Sequence, residues 1–193
     1  MKMTQRRLVW AWCGSFCTFE TVMPLMEQMV QSGTEILPVM SFHAAGMDTR
    51  FGTAEYWKGK LGKVTGHIPF TTLQQVEPMG PKQMADAMVI APCTGNTLAK
   101  LAQGISDTPV TLAAKSMLRG GKPVVVALST NDGLMASLPN IATLLQRKHF
   151  YIVPFGQDDF LRKPYSLQSD FSLVGDTLEC ALRGRQLGPV LME

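Results

Sequence analysis

The stretch Asp86-Ala-Met-Val-Ile-Ala-Pro92-Cys-Thr-Gly-Asn96-Thr-Leu-Ala-Lys100-Leu-Ala-Gln-Gly-Ile-Ser-Asp107 constrains the chain most. Residues 88–91 are a short apolar run, which reads as a buried strand. Pro92 is expected to stop that strand, because proline cannot donate to a ladder. Thr94, Gly95 and Asn96 then supply small polar groups on a flexible backbone, and 97–103 has helical character. A strand that ends this way and opens into a helix presents free backbone N–H groups beside a crevice. In open α/β sheets, ligands bind in that crevice. An ordinary strand-to-helix turn has the same local sequence, so the other strand ends matter.

The pattern recurs along the chain. Leu8-Val-Trp-Ala-Trp12 reads as a first buried strand, and Cys13-Gly14-Ser15 follows it. Helical spacing over 16–31 comes next, with Ser15 placed to cap that helix. Residues 35–40 read as the second strand, leading into Ser41-Phe-His43. Residues 54–58 suggest a short amphipathic helix, and the basic residues of 58–63 suit a solvated face. Residues 65–69 are expected to form a short third strand, within a loop-rich stretch from Gly59 to Pro81. Beyond the opening stretch, Pro109 suits a helix start, and helical spacing runs over 110–119. Lys122-Pro-Val-Val-Val-Ala-Leu128 is the clearest β signal, closed by Ser129-Thr130-Asn131-Asp132-Gly133. Helices over 138–147 and 173–183 flank a strand at 150–153 and a polar loop at 154–159. Alternating strands and helices predict a mostly parallel α/β sheet. With 193 residues, one core over 1–193 is expected rather than two domains.

Composition removes several function classes. Hydrophobic residues make up 46% and charged residues 17%, which fits a globular chain rather than a disordered one. A formal charge of +3, with Lys and Arg scattered, argues against a nucleic-acid surface. No apolar run approaches the roughly 20 residues of a membrane span. The basic Met1-Lys-Met-Thr-Gln-Arg-Arg start precedes an apolar run too brief for a secretory signal. A cytoplasmic location is expected. Cys13, Cys17, Cys93 and Cys180 lack a completing zinc pattern and read as free thiols packed as small hydrophobes. His43, His67 and His149 are far apart, so no metal site is expected.

In a parallel sheet the loops at Gly14-Ser15, Ser41, Pro92–Asn96 and Ser129–Asp132 lie along one edge and converge. They offer hydroxyls, amides and backbone N–H groups, without a nucleophile–base pair or carboxylate dyad. Such a set suits a polar, phosphorylated, planar cofactor that brings its own reactivity. Trp12 and Phe42 stand beside two of these loops, where either core packing or a ring contact is open to them. No catalytic residue is identifiable.

The stretch from Ala91 to Asp107 resembles the signature of the flavoprotein family that includes the homo-oligomeric flavin-containing cysteine decarboxylases. Asp48-Thr-Arg-Phe-Gly52, Glu77-Pro-Met-Gly-Pro-Lys82, Ser129-Thr-Asn-Asp-Gly133 and Pro154-Phe-Gly-Gln-Asp-Asp159 extend the likeness over nearly the whole chain. They resemble most the branch formed by the B subunits of dipicolinate synthases. The resemblance implies a three-layer Rossmann-like flavoprotein fold, assembled as a trimer or higher oligomer with FMN between protomers. It places Gly14, Ser15 and Ser41 at the flavin phosphate, Thr94, Gly95 and Asn96 against the flavin, and Ser129 and Thr130 nearby. It further implies a partner, the A subunit of dipicolinate synthase, which brings NADP, and a dicarboxylate substrate oxidised during sporulation in the mother-cell cytoplasm. Arg50, Lys82 and Lys100 are candidate cations for that dianion, with surface charge as their alternative role.

Two rivals follow from the same family, and a third comes from a different class. A cysteine-type decarboxylase would need a His close before the signature strand and a Cys in a later clamping loop. Here His67 lies far upstream and Cys180 falls in the last helix. A flavin prenyltransferase would continue Ser-Met-Lys where this chain has Thr94-Gly-Asn. A non-catalytic flavin-binding module that serves the partner chain fits the lack of an acid–base pair.

Overall fold

The computed structural model describes residues 6–192; most of the basic stretch at 1–7 lies outside that range. Four strands carry the fold: β1 (Arg7–Trp12), β2 (Glu35–Met40), β3 (Ala87–Cys93) and β4 (Val124–Thr130). They pair in parallel in the order β2-β1-β3-β4, and β5 (Phe150–Ile152) adds in parallel to β4. Their near-continuous apolar sequence follows from burial on both faces. Val9, Ala11, Met88, Ile90, Val124 and Val126 face one side, against α5 (Gly95–Gln103), α6 (Pro109–Arg119) and α7 (Leu138–Leu145). The alternate residues Leu8, Trp10, Val89, Ala91 and Val125 face α1 (Phe19–Gln31), α3 (Ala54–Thr65) and α8 (Val174–Leu182). The result is three layers, with a short α2 (Phe42–Gly46) and α4 (Leu73–Val76) in the connections.

An aromatic cluster anchors the second face. Trp12 has no exposed surface and packs with Phe19 at 4.5 Å and Trp57 at 5.7 Å between ring centroids. Each such pair contributes about 0.5–1.5 kcal/mol beyond area burial. Trp12 is thus a core residue with no surface open toward the loops. Trp57 donates its indole N–H to Phe51 O at 3.0 Å, which fixes the Thr49–Gly52 turn. No helix among the described residues is long and apolar enough to cross a membrane.

Several expectations are overturned. β3 continues through Pro92 to Cys93, by way of a register shift between Ile90 and Cys93. Pro92 cannot donate, but its carbonyl accepts from Cys13 N at 3.1 Å, so the strand edge remains in use. Residues 65–69 form no strand. α3 absorbs 54–65 and ends at Gly66 in the left-handed region, φ 72°, and the bridge to β2 is made instead by Phe70 against Val39. The loop at 154–159 contains β6 (Phe155–Gly156), which pairs antiparallel with β7 (Leu167–Ser169). β7 in turn runs antiparallel to Ser129 and Thr130 of β4. Ser15 makes no cap: a 3-10 turn (Phe16–Thr18) precedes α1, and the Ser15 hydroxyl is engaged elsewhere.

Candidate functional site

The loops leaving β1, β3 and β4 meet at the C-terminal edge of the sheet. Gly14, Ser15, Thr94, Gly95, Asn96, Ser129 and Thr130 line one cavity of about 470 Å³, a size suited to a small-molecule ligand. Its polar wall is built locally. Thr94 accepts from Thr97 N at 3.4 Å and caps α5. That cap leaves the first-turn amides of Gly95 and Asn96 without an intrahelical acceptor. Ser15 Oγ and Ser129 Oγ lie 2.6 Å apart. One of these hydroxyls donates to the other, and the second proton is left for a ligand oxygen.

Asp132 also lines this cavity, but its carboxylate is occupied. It accepts from Thr130 Oγ1 at 2.5 Å and Ser137 Oγ at 2.8 Å. The Thr130 and Ser137 hydrogen bonds outweigh burial and hold its pKa below the ordinary carboxylate value. Gly95 packs directly on this trio: a Cβ there would meet Thr130 Oγ1 at 2.6 Å and Ser137 Oγ at 2.7 Å. The start of α5 and the loop after β4 are therefore locked together.

A second cavity of about 590 Å³ adjoins the first, sharing Gly14, Phe16, Thr94 and Asn96. Ser41, Phe42, His43 and Lys100 line it. Ser41 accepts from Ala44 N at 3.2 Å and caps α2, and Phe42 is 48% exposed there. Lys100 reaches both carboxylate oxygens of Asp107 at 2.7 Å, so its charge is already balanced.

The other two cation candidates are not brought to these cavities. Arg50 is exposed, with its guanidinium 4.8 Å from the Phe51 ring centroid, and only Phe51 reaches the cavity wall. Lys82 follows Gly80, whose Cα backs onto Ser116 in the second half of α6. Because Thr108, at the start of α6, lines the second cavity, Lys82 lies toward the opposite end of the sheet. His67 is also remote, 3.5 Å from Glu35 at the start of β2.

Reading the sequence missed a different cation. Lys163 lines the first cavity, paired with Asp158 at 2.6 Å. Burial opposes ionisation of Asp158, but the Lys163 and Ser166 hydrogen bonds prevail and lower its pKa, while Asp158 raises that of Lys163. Both belong to the excursion between β6 and β7, closed at its base by Gln157 Nε2 donating to Pro164 O at 2.8 Å. The Asp158-Asp159 motif was the available signal, and no spacing rule linked it to Lys163. Cys17 likewise departs from expectation, being exposed on the cavity wall, whereas Cys13 and Cys93 are buried. Cys93 is pushed above its ordinary pKa by its contact with Cys13 and by burial, and stays a thiol.

Comparison with known proteins shows the family. The flavoprotein family profile matches residues 1–156. The dipicolinate synthase B subunit of Bacillus subtilis (strain 168) is 41% identical over 188 residues, 97% of this chain and 94% of that protein. The crystal structure of the dipicolinate synthase B subunit from Bacillus halodurans C superposes with a TM-score of 0.90 at 40% identity, over 100% of this chain and 99% of the other. The FMN-dependent cysteine decarboxylase SpaF superposes at 0.67 with 27% identity, over 92% of this chain and 97% of that one. The chain belongs to the flavoprotein family, and the B subunits of dipicolinate synthases are its relatives over nearly its full length.

Proposed function

We propose that this chain is the flavin-binding subunit of a dipicolinate synthase. It would act with the A subunit in the NADP-linked oxidation of dihydrodipicolinate to dipicolinate during sporulation, in the mother-cell cytoplasm. The observation that carries the reading is the full-length likeness to dipicolinate synthase B subunits, in sequence and in fold. In this reading residues 1–193 act as one flavoprotein-like domain, and the working form is a trimer or higher oligomer.

The residues present fit FMN. Uncapped amides of Gly95 and Asn96 and the Ser15–Ser129 hydroxyl pair are donors to acceptor oxygens. Gly14, Ser41 and Thr130 border the same two cavities. When bound, a flavin offers two-electron redox chemistry. The protein's own part is to bind and orient. Lys163, although paired with Asp158 as Lys100 is with Asp107, is the cation best placed for a substrate carboxylate, because it alone of Arg50, Lys82, Lys100 and Lys163 lines the first cavity. The Asp132 carboxylate is held by two hydroxyls and acts as a brace for the β4 loop, not as a base.

The overall change is dihydrodipicolinate plus NADP+ giving dipicolinate, NADPH and a proton. The test is a paired assay: dihydrodipicolinate and NADP with this chain, with the A subunit, and with both. Dipicolinate formation that depends on both chains supports the reading, and unchanged turnover by the A subunit on its own overturns it. The SpaF likeness supports a cysteine-decarboxylase reading, which predicts CO2 release from a cysteine-capped peptide. The placement of Cys180 within α8 and of His67 beside Glu35 disfavours it.

A further inference from the structure

A third cavity, of about 440 Å³, lies behind the link between α5 and α6 and shares no residue with the two at the sheet edge. Leu101, Leu118 and Phe150 give it an apolar lining. Thr111, Lys115, Leu118 and Arg119 fall at i, i+4, i+7 and i+8 of α6, one face of that helix. Arg147 contributes from a separate wall, between α7 and β5.

The charges are one-sided. No Asp or Glu among the described residues lines the cavity. Among the described residues, none of the three cations has a carboxylate within 4.0 Å. Lys115 donates to Ser106 Oγ at 3.4 Å. Arg147 donates one N–H to Leu101 O at 3.2 Å, leaving four of its five donors. Like charges around one cavity repel, and an anion seated among them removes that repulsion. An apolar lining favours a ligand that also carries an apolar body. Cations on two walls favour acid groups at two ends of that body.

We propose that this cavity binds a planar aromatic dicarboxylate, with its ring against Leu118 and Phe150 and its acid groups directed to the Lys115–Arg119 pair and to Arg147. Inorganic phosphate would satisfy the cations and leave the apolar lining wet; benzoate would cover the lining and reach one wall only. The inference stands on residues separate from the proposed reaction and does not depend on it, although the product of that reaction belongs to the same chemical class.

The test is calorimetric titration of the full chain with benzene-1,3-dicarboxylate at low ionic strength, beside benzoate and inorganic phosphate. The dicarboxylate should bind at least tenfold more tightly than either. Lys115→Gln, Arg119→Gln and Arg147→Gln should each weaken it at least fivefold, and Lys63→Gln, on α3 across the sheet, should leave it unchanged. Circular dichroism melts establish that the variants fold, and Arg119 is exposed at the last position of α6, so its substitution leaves the core packing intact. Absence of binding, phosphate as tight as the dicarboxylate, or indifference to all three cation variants overturns the proposal. Dissociation of an oligomer by Ile105→Glu also overturns it, because a second copy would then cover the cavity.

Discussion

Ser15 Oγ and Ser129 Oγ sit 2.6 Å apart although 114 residues separate them in the chain. The contact joins the loop after β1 to the end of β4, above β3, which lies between them in the sheet. A hydroxyl pair placed there serves both as a brace and as a donor. Removing either hydroxyl should weaken FMN binding by about 0.5–1.5 kcal/mol, the usual net worth of one hydrogen bond. Ser15→Ala and Ser129→Ala should be less than additive when combined, read by quenching of FMN fluorescence. Full additivity would mean the two hydroxyls act independently.

Gly95 is the tightest glycine of the site. A methyl there would sit 2.6 Å from Thr130 Oγ1 and 2.9 Å from Asp132 Oδ1. Overpacking of this kind costs about 1–3 kcal/mol. Gly95→Ala should lower the urea midpoint and also loosen FMN, because α5 would have to retreat from the β4 loop. A variant as stable as the wild type would show that the contact relaxes freely.

Asp132 gives a pH signature. Its carboxyl has a lower pKa folded than unfolded, chiefly through Thr130 and then Ser137, against burial. A depressed folded pKa means that the unfolded chain takes up the proton first as acid is added. The stabilisation is therefore present above the ordinary Asp value of about 3.9, and is lost as pH falls through the lowered folded value. Urea midpoints measured from pH 6 to pH 2 should fall less steeply in Asp132→Asn. Parallel curves would refute the assignment.

Lys163→Met tests substrate binding apart from cofactor binding. In the two-chain activity assay, Lys163→Met should raise KM for the dicarboxylate about tenfold or more, in line with loss of a charged hydrogen bond worth about 1.5–3 kcal/mol. FMN retention should stay within twofold. Equal losses in both would place Lys163 on the flavin instead.

Gly52 closes the turn that carries Phe51. Its φ of +123° is strained for any other residue, and a Cβ there would come within 2.7 Å of Trp57 Nε1. Gly52→Ala should displace the turn that carries Phe51 to the first cavity, costing stability and dimming the Trp57 environment in near-UV circular dichroism. An unaltered spectrum would exclude that coupling.

The parts legible in the sequence are those where burial on both faces leaves an unbroken apolar run, as in β1 to β4, or where a small polar loop follows a strand. β6 and β7 were not legible, because two and three residues cannot display a period. Glycines at 59 and 62 disguised the second half of α3, which tertiary packing of Trp57 and Leu61 keeps helical. Pro92 lacks a donor, which a sequence reveals, but its carbonyl still accepts from Cys13 N, which only the fold reveals. At the site, Gly14, Ser15, Thr94 to Asn96, Ser129 and Thr130 converge because topology alone brings parallel strand ends together. Lys163 depends on a chain reversal that no local rule encodes, and the charge of Arg50 and Lys82 does not tell which end of the sheet they occupy.

The excursion between β6 and β7 is closed on itself at Gln157 and Pro164, while Ser166 and Ser169 fasten its return strand to β4 and to Val153. It is consequently a cassette: residues 158–163 could be exchanged for another sequence without unpairing a strand of the sheet. Ligand preference could then be re-engineered at that one insert, carrying Lys163 with it, while the Ser15, Thr94 and Ser129 loops stay untouched.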